Sequence, residues 1–191
     1  RNPLAAIGTS SYLIKQKLSS GKCGEDIASH IHSIEDQIKK CAAIIDSIIR
    51  ISKSDKPNME RVDVAGFVKN IVMTKKGEFG GAVNIDLPEG SLYVKADKGQ
   101  LEIAMKNVID NAIQAMGDDG VMSVSIAERS QQGGRFARIE ISDTGVGISE
   151  ENLPHIFDPL FSTKSIGIGF GLSIVKMIVE RHSGRIYVES A

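Results

Sequence analysis

Lys98-Gly-Gln-Leu-Glu-Ile-Ala-Met-Lys-Asn-Val-Ile-Asp-Asn-Ala-Ile-Gln-Ala-Met116 is the stretch on which the fold turns. Leu101, Met105, Val108, Ala112 and Ala115 recur three and four residues apart, the spacing of one buried helix face. Asn107 and Asn111 stand at i and i+4, so their amides lie one turn apart on a single face. Asparagine competes for backbone hydrogen bonds and is a middling helix former, so two of them in mid-helix call for a reason. An amide oxygen is a neutral, hard donor suited to Mg²⁺, which takes a few protein oxygens and completes its shell with water and phosphate. A single asparagine here would be read as a solvated polar residue.

Outward from this helix, period-two segments flank it on both sides. Ala82–Leu87, Leu92–Ala96, Val121–Ala127, Phe136–Ser142 and Arg185–Glu189 are expected strands, and Val64–Lys75 and Gly171–His182 further helices. Strands that neighbour one another in sequence, with helices between the groups, predict an α/β sandwich whose mixed sheet has one face covered by helices.

Two further segments carry chemistry-bearing residues. In Ile139-Glu140-Ile141-Ser142-Asp143-Thr144-Gly145-Val146-Gly147, alternation puts Asp143 in phase with Ala137, Ile139 and Ile141, at the strand's end. A carboxylate there needs a donor, and the exocyclic amino group of adenine is a suitable one. Gly145 and Gly147 permit a turn that hugs a ligand; the commoner role of such an Asp is to cap a β-turn. The second segment runs from Phe157-Asp158-Pro159-Leu160-Phe161-Ser162-Thr163-Lys164 into Gly167-Ile168-Gly169-Phe170-Gly171-Leu172. Glycines opening a helix can offer backbone N–H groups and a positive dipole end to phosphates. No Gly-Lys-Ser/Thr ending follows, so this is not a P-loop. Lys164 could add positive charge near a terminal phosphate; otherwise it is a solvated loop lysine.

The first quarter of the chain has another period. Ile27, Ile31, Ile34, Ile38, Cys41, Ile45, Ile48 and Ser52 form a heptad seam, and Leu4, Ile7, Ser11, Ile14 and Leu18 a shorter one. Residues 19–26 read as a turn, with Asp26 as the helix N-cap. Two helices with narrow seams cannot enclose a core alone, and a second copy completing a four-helix bundle solves that problem. Each isoleucine so buried contributes about 1.5–3 kcal/mol. Packing of the hairpin on its own C-terminal half is the alternative. The coiled-coil pattern stops at Pro57.

Composition narrows the class. The 191 residues are 41% hydrophobic and 25% charged, with net charge −1 and acids and bases interspersed, as in a globular protein without a nucleic-acid footprint. No apolar run approaches the length of a bilayer span and no signal peptide precedes Arg1, so no membrane contact is expected in this stretch. Cys23 and Cys41 have no metal spacing, and a cytoplasmic, reducing setting is the default. The start without Met suggests a fragment.

Asn107-Val-Ile-Asp-Asn111-Ala, Asp143-Thr-Gly-Val-Gly147, Phe157-Asp-Pro-Leu-Phe161 and Gly167-Ile-Gly-Phe-Gly171-Leu resemble the asparagine, first glycine, phenylalanine and second glycine boxes of sensor histidine kinases of two-component systems, in that family's order. Arg1-Asn2-Pro3-Leu4 resembles the tail of the family's histidine box. The resemblance covers nearly the whole chain and implies an α+β protein. Residues 1–56 would form the dimerisation and histidine-phosphotransfer hairpin of a homodimeric four-helix bundle, and residues 59–191 a catalytic ATP-binding domain of the Bergerat type.

It also implies ATP and Mg²⁺ as cofactors. Asp143 would hold adenine, Asn111 would ligate Mg²⁺, and Asn107 would lie close to the phosphates. Gly145 and Gly147 would line the nucleotide, while Thr163, Lys164, Gly167, Gly169, Gly171 and Leu172 would belong to a lid over it. Asn107 and Lys164 are the implied catalytic residues, with Asn2 in removing phosphate from the partner, the receiver domain of a response regulator. The phosphoacceptor histidine would stand three residues before Arg1. His30 and His32 lack its sequence context and read as helix-face residues, and His155 and His182 as packing or capping residues. Ile168 and Phe170 replace the family's common Thr and Leu.

Three rivals remain. ATPases of the gyrase, mismatch-repair and chaperone types carry a general-base Glu where this chain has Asn107, which cannot accept a proton. Serine kinases of the anti-sigma type lack the heptad hairpin. A nucleotide-binding scaffold without kinase activity is opposed by the intact boxes. The implied reaction moves the γ-phosphoryl group of ATP to an imidazole nitrogen and then to a regulator's aspartate, by positioning and charge neutralisation.

Overall fold

The computed structural model describes residues 3–19, 27–38, 41, 56–77, 79–117, 119–131, 134–164 and 169–190. The chain divides into two compact units that part between residues 54 and 55.

In the first unit α1 spans Pro3–Ser19 and α2 covers residues 27–38, with Cys41 also helical. Thr9 and Ser19 hydroxyls donate to the carbonyls of Ala5 and Lys15, one turn back. Of the expected heptad seam, Ile27 and Ile34 are half-buried, whereas Ile31 and Ile38 are 47% and 54% exposed. Ile45, Ile48 and Ser52 lie outside the described residues. His32 is exposed beside Glu35 and Asp36, at 4.0 and 3.6 Å, as expected of a helix-face residue.

The second unit is built on two sheets. β1 (Glu60–Asp63) leads directly into α3 (Val64–Lys76), and β2 (Ala82–Asp86) and β3 (Tyr93–Ala96) follow. Then come α4 (Lys98–Met116), β4 (Val121–Gln131), β5 (Gly134–Asp143), a 3₁₀ turn at Leu153–His155 and α5 (Gly171–Arg181). β1 pairs antiparallel with β3, from Glu60↔Ala96 to Asp63↔Tyr93. The larger sheet has the order β2-β4-β5. It is mixed, as expected: β2 runs parallel to β4, and β4 antiparallel to β5 from Met122↔Asp143 to Gln131↔Gly134.

The core lies between this sheet and the helices. Val64, Val68, Ile71 and Val72 follow the period of α3; Met105, Ile109 and Ala112 follow that of α4; and Met122, Val124 and Ile126 alternate along β4. All ten are buried. α5 packs on α4 and buries Ile174, Val175 and Ile178. Of the expected stripe on α4, Met105 and Ala112 are buried and Leu101, Val108 and Ala115 half-buried, while Ile109, outside that stripe, is fully buried. A helix that meets both a sheet and another helix carries a wider apolar face than one seam.

One expected strand is absent. Residues 185–189 have no ladder partner among the described residues and take no strand conformation, and Tyr187 is largely exposed. Alternating side chains make a strand only beside a neighbour that accepts its backbone bonds. The segment is held instead where the Ile148 N–H donates to Ser190 Oγ at 2.7 Å. No helix among the described residues is long and apolar enough to cross a membrane.

Candidate functional site

Four pieces of backbone converge on the C-terminal half of α4. The helix is fixed at its start by Asp97, whose Oδ1 accepts from the Gln100 N–H at 3.0 Å as an N-cap. Its face then presents Asn107 and Asn111 as expected, and also Gln114, at i, i+4 and i+7. Asn107 Nδ2 donates to the Ile103 carbonyl at 2.8 Å, which fixes the amide and leaves Oδ1 turned away from the helix backbone.

The end of β5 lies against the end of α4. Thr144 Oγ1 accepts from the Val121 N–H, and the Val146 N–H donates to the Ala115 carbonyl at 3.2 Å. A Cβ on Gly145 would stand 2.7 Å from Ala115 Cβ, so only glycine allows this approach. Gly147, at φ +70°, completes the turn in the left-handed region. Asp143 lies opposite Met122, in phase with the half-buried Ile139 and Ile141, and is itself exposed. Its Oδ1 accepts from the Gly145 N–H at 2.9 Å. The carboxylate is therefore also the cap of a β-turn: one oxygen holds the loop and the other is free for a ligand.

The phenylalanine box and the second glycine segment are stitched backbone to backbone. The Leu160 N–H donates to the Gly169 carbonyl at 3.0 Å, with Leu160 at φ +70° and Gly169 at φ +78°. A Cβ at Gly169 would lie 2.4 Å from the Phe161 carbonyl oxygen. His155 Nδ1 meets Asp158 Oδ2 at 2.9 Å, so this histidine braces the loop. The chain then enters α5 at Gly171, whose added Cβ would lie 2.9 Å from Asn107 Oδ1 and 3.8 Å from Asn111 Nδ2. Phe170, the N-cap, gives α5 no side-chain cap, so the first-turn N–H groups of Gly171, Leu172 and Ser173 open beside the α4 amides.

Lys164 closes the arrangement. Its Nζ donates to Asn111 Oδ1 at 3.1 Å and to Gln114 Oε1 at 2.8 Å. Burial holds its ammonium below the usual lysine range, against an opposing pull from the Asp143 carboxylate. Asn111 Oδ1 therefore already accepts a cationic donor, and a hard, neutral oxygen of this kind suits Mg²⁺. Among the described residues no three His, Cys, Asp or Glu side chains converge on a metal position.

Of the residues expected from sequence, Asn107, Asn111, Asp143, Gly145, Lys164 and Gly171 converge at or against this end of α4, and Gly169 fixes the loop that leads to it. Gly147 lies in the adjoining turn, Leu172 in the first turn of α5, and Thr163 beside Lys164, exposed. Asn2 and Gly167 lie outside the described residues. Gln114 was missed, although its position seven residues after Asn107 was the available signal. An open concavity of about 300 Å³ on the other face of the sheet, lined by Asn84, Asp86, Ser123, Ser125 and Glu140, involves none of these residues.

The histidine kinase-, DNA gyrase B-, and HSP90-like ATPase family model matches residues 96–191. Sporulation kinase D of Bacillus subtilis is 29% identical over 194 residues, covering all of this chain and 37% of that protein. The sensor histidine kinase ZraS of Escherichia coli K12 is 29% identical over 198 residues, covering all of this chain and 40% of that protein. The chain thus spans about two-fifths of the length of these curated relatives. The crystal structure of histidine kinase ThkA in complex with response regulator protein TrrA shares the fold at a TM-score of 0.72, over 96% of this chain and 52% of that one, with 22% identity.

Proposed function

We propose that this chain, which belongs to the histidine kinase-, DNA gyrase B-, and HSP90-like ATPase family, is the ATP-using core of a sensor histidine kinase. Residues 59–191 serve as its ATP-binding domain, and residues 1–56 as the dimerisation and phosphotransfer hairpin, with the phosphoacceptor histidine three residues before Arg1. The observation that carries this is the meeting of the α4 amides, Lys164 and the uncapped start of α5 beside Asp143. One edge of that site is acidic and local, suited to an adenine amino group. The other offers a cation, amides and helix N–H groups, suited to a triphosphate.

Each residue then has one task. The free oxygen of Asp143 accepts from the adenine amino group. Gly145 and Gly147 let the backbone approach the nucleotide. The N–H groups opening α5, with Lys164, hold phosphate oxygens and meet the charge that builds on them during transfer. Asn107, its amide fixed by Ile103, and Asn111 hold the polyphosphate's orientation, and Asn111 would hold Mg²⁺. That ion, when bound, neutralises phosphate charge. Thr163, Gly167, Gly169 and Leu172 belong to the segment that covers the nucleotide. Asn107 supports a kinase over a hydrolase, since its neutral amide cannot take a proton from water.

The second copy of the chain, the receiver domain of a response regulator and a cytoplasmic location complete the proposal. ThkA, which shares the fold, is seen in complex with a response regulator, which supports the receiver, and the half-exposed Ile31 and Ile38 of α2 support the second copy. Asn2, four residues after the acceptor position in sequence, orients a water for dephosphorylation of the docked regulator. The test is labelling from γ-labelled ATP with Mg²⁺, on the chain as it stands and with His-Glu-x placed before Arg1. The extended chain should acquire acid-labile, base-stable label and pass it to a receiver aspartate, and the unextended chain should acquire none. Nucleotide binding without label in the extended chain would instead support the silent scaffold.

A further inference from the structure

We propose that Lys164 is the resident cation of the Asn111–Gln114 amide pair and keeps divalent metal out of the site until a nucleotide phosphate draws its ammonium away. This rests on Asn111 as the metal-holding residue and adds a rule for the order of binding.

Lys164 Nζ bonds to both amide oxygens, at 3.1 and 2.8 Å, so it sits between two side chains one turn apart on α4. Both partners are neutral, and neither competes for the lysine with a full negative charge. Asp143 attracts the ammonium, but no ion pair joins Lys164 to it or to any other described carboxylate. The lysine is thus held by groups that a metal would also use.

A divalent ion on Asn111 Oδ1 would stand a few ångströms from this ammonium, and like charges at that separation repel strongly. Nothing in the described site offsets three positive charges beside a single exposed carboxylate. A polyphosphate does: it brings several negative oxygens, gives Lys164 an anionic partner, and frees Asn111 Oδ1. The site then takes metal together with nucleotide and refuses the bare ion. Gln114 acts here as a positioning residue, because its Oε1 is the nearer of the two acceptors and fixes where the ammonium rests.

The experiment is titration of the nucleotide-free chain with Mn²⁺ alone, read by the loss of the free-ion electron paramagnetic resonance signal. It uses the parent, Lys164→Met, Lys164→Gln and the double variant Lys164→Met/Asn111→Leu. Removing the neighbouring charge should tighten Mn²⁺ binding by roughly tenfold or more in both single variants. The double variant should lose that gain, and ADP should restore Mn²⁺ uptake to the parent. The glutamine variant keeps a donor without the charge, so its agreement with the methionine variant identifies charge as the cause. No gain in either single variant overturns the proposal, provided that ADP-dependent uptake still needs Asn111. If the double variant takes up Mn²⁺ with ADP as Lys164→Met does, the assignment of Asn111 fails first.

Discussion

Asp97 ties three parts of the second unit together through one residue. Its Oδ1 caps α4 through the Gln100 N–H, and its Oδ2 accepts from the Asn58 N–H at 2.9 Å. Its own N–H donates at 2.9 Å to Nε2 of His182, whose Nδ1 donates to the Ile178 carbonyl at the end of α5. The Gln100 bond, then those from Asn58 and Gly99, hold the Asp97 carboxyl below its ordinary value of 3.8. A depressed carboxylate stabilises the fold above its unfolded pKa, and the contribution is lost as pH falls through the folded one. Asp97→Ala should therefore cost about 1 kcal/mol at neutral pH, the usual worth of an N-cap. The gap from the parent should close as the pH drops below 3.8 and the parent's carboxyl takes up its proton. Urea melts of both chains at neutral and acid pH are the check; a constant difference would mean the carboxylate's charge has no part in the cap. At this scale sequence showed the donors but not their bonds. Asn111 and Lys164 were legible as chemistry-bearing residues, whereas their direct hydrogen bond joins residues far apart in sequence, which no spacing rule reaches.

At the scale of elements, long periodic segments were legible and short ones were not. α4 begins and ends where its pattern predicts, between the Asp97 cap and Gly117 at φ +68°. β1 escaped because Glu60-Arg61-Val62-Asp63 holds one apolar residue among three charges. It exists through pairing with β3, the Val64 N–H bond to the Leu92 carbonyl, and the Leu92 N–H bond to Asp63 Oδ1. The Arg185–Glu189 segment failed the opposite way, with the right alternation and no neighbour among the described residues. Both errors share one cause: a strand is a property of a pair, and sequence displays only one member. The candidate site was more legible than the sheet because each of its pieces is local. The amide face is one helix, the Asp143 turn one strand end, and the glycine segment one loop. What joins them is close backbone approach at Gly145 and Gly171, visible only once the fold is formed.

At the scale of the molecule, two predictions separate assembly from catalysis. Ile38 is 54% exposed on the described part of α2, and a second copy covering it is the proposed role of the seam. Ile38→Glu would set like charges facing one another in that bundle, a cost of several kcal/mol per ion. Sedimentation should then find monomers whose second unit melts as in the parent; a variant as dimeric as the parent would place the seam elsewhere. The central claim concerns the nucleotide. In the proposed site Asp143 accepts a hydrogen bond from an adenine amino group, and an asparagine amide there can present a donor instead. The most direct measurement is calorimetric titration of the parent and Asp143→Asn with Mg·ATP. The parent should bind ATP, and the variant should bind it roughly ten- to a hundredfold more weakly, the worth of one charge-assisted hydrogen bond. Equal affinity in the two chains, with both folded, would contradict the assignment of adenine to Asp143 and with it the site as described.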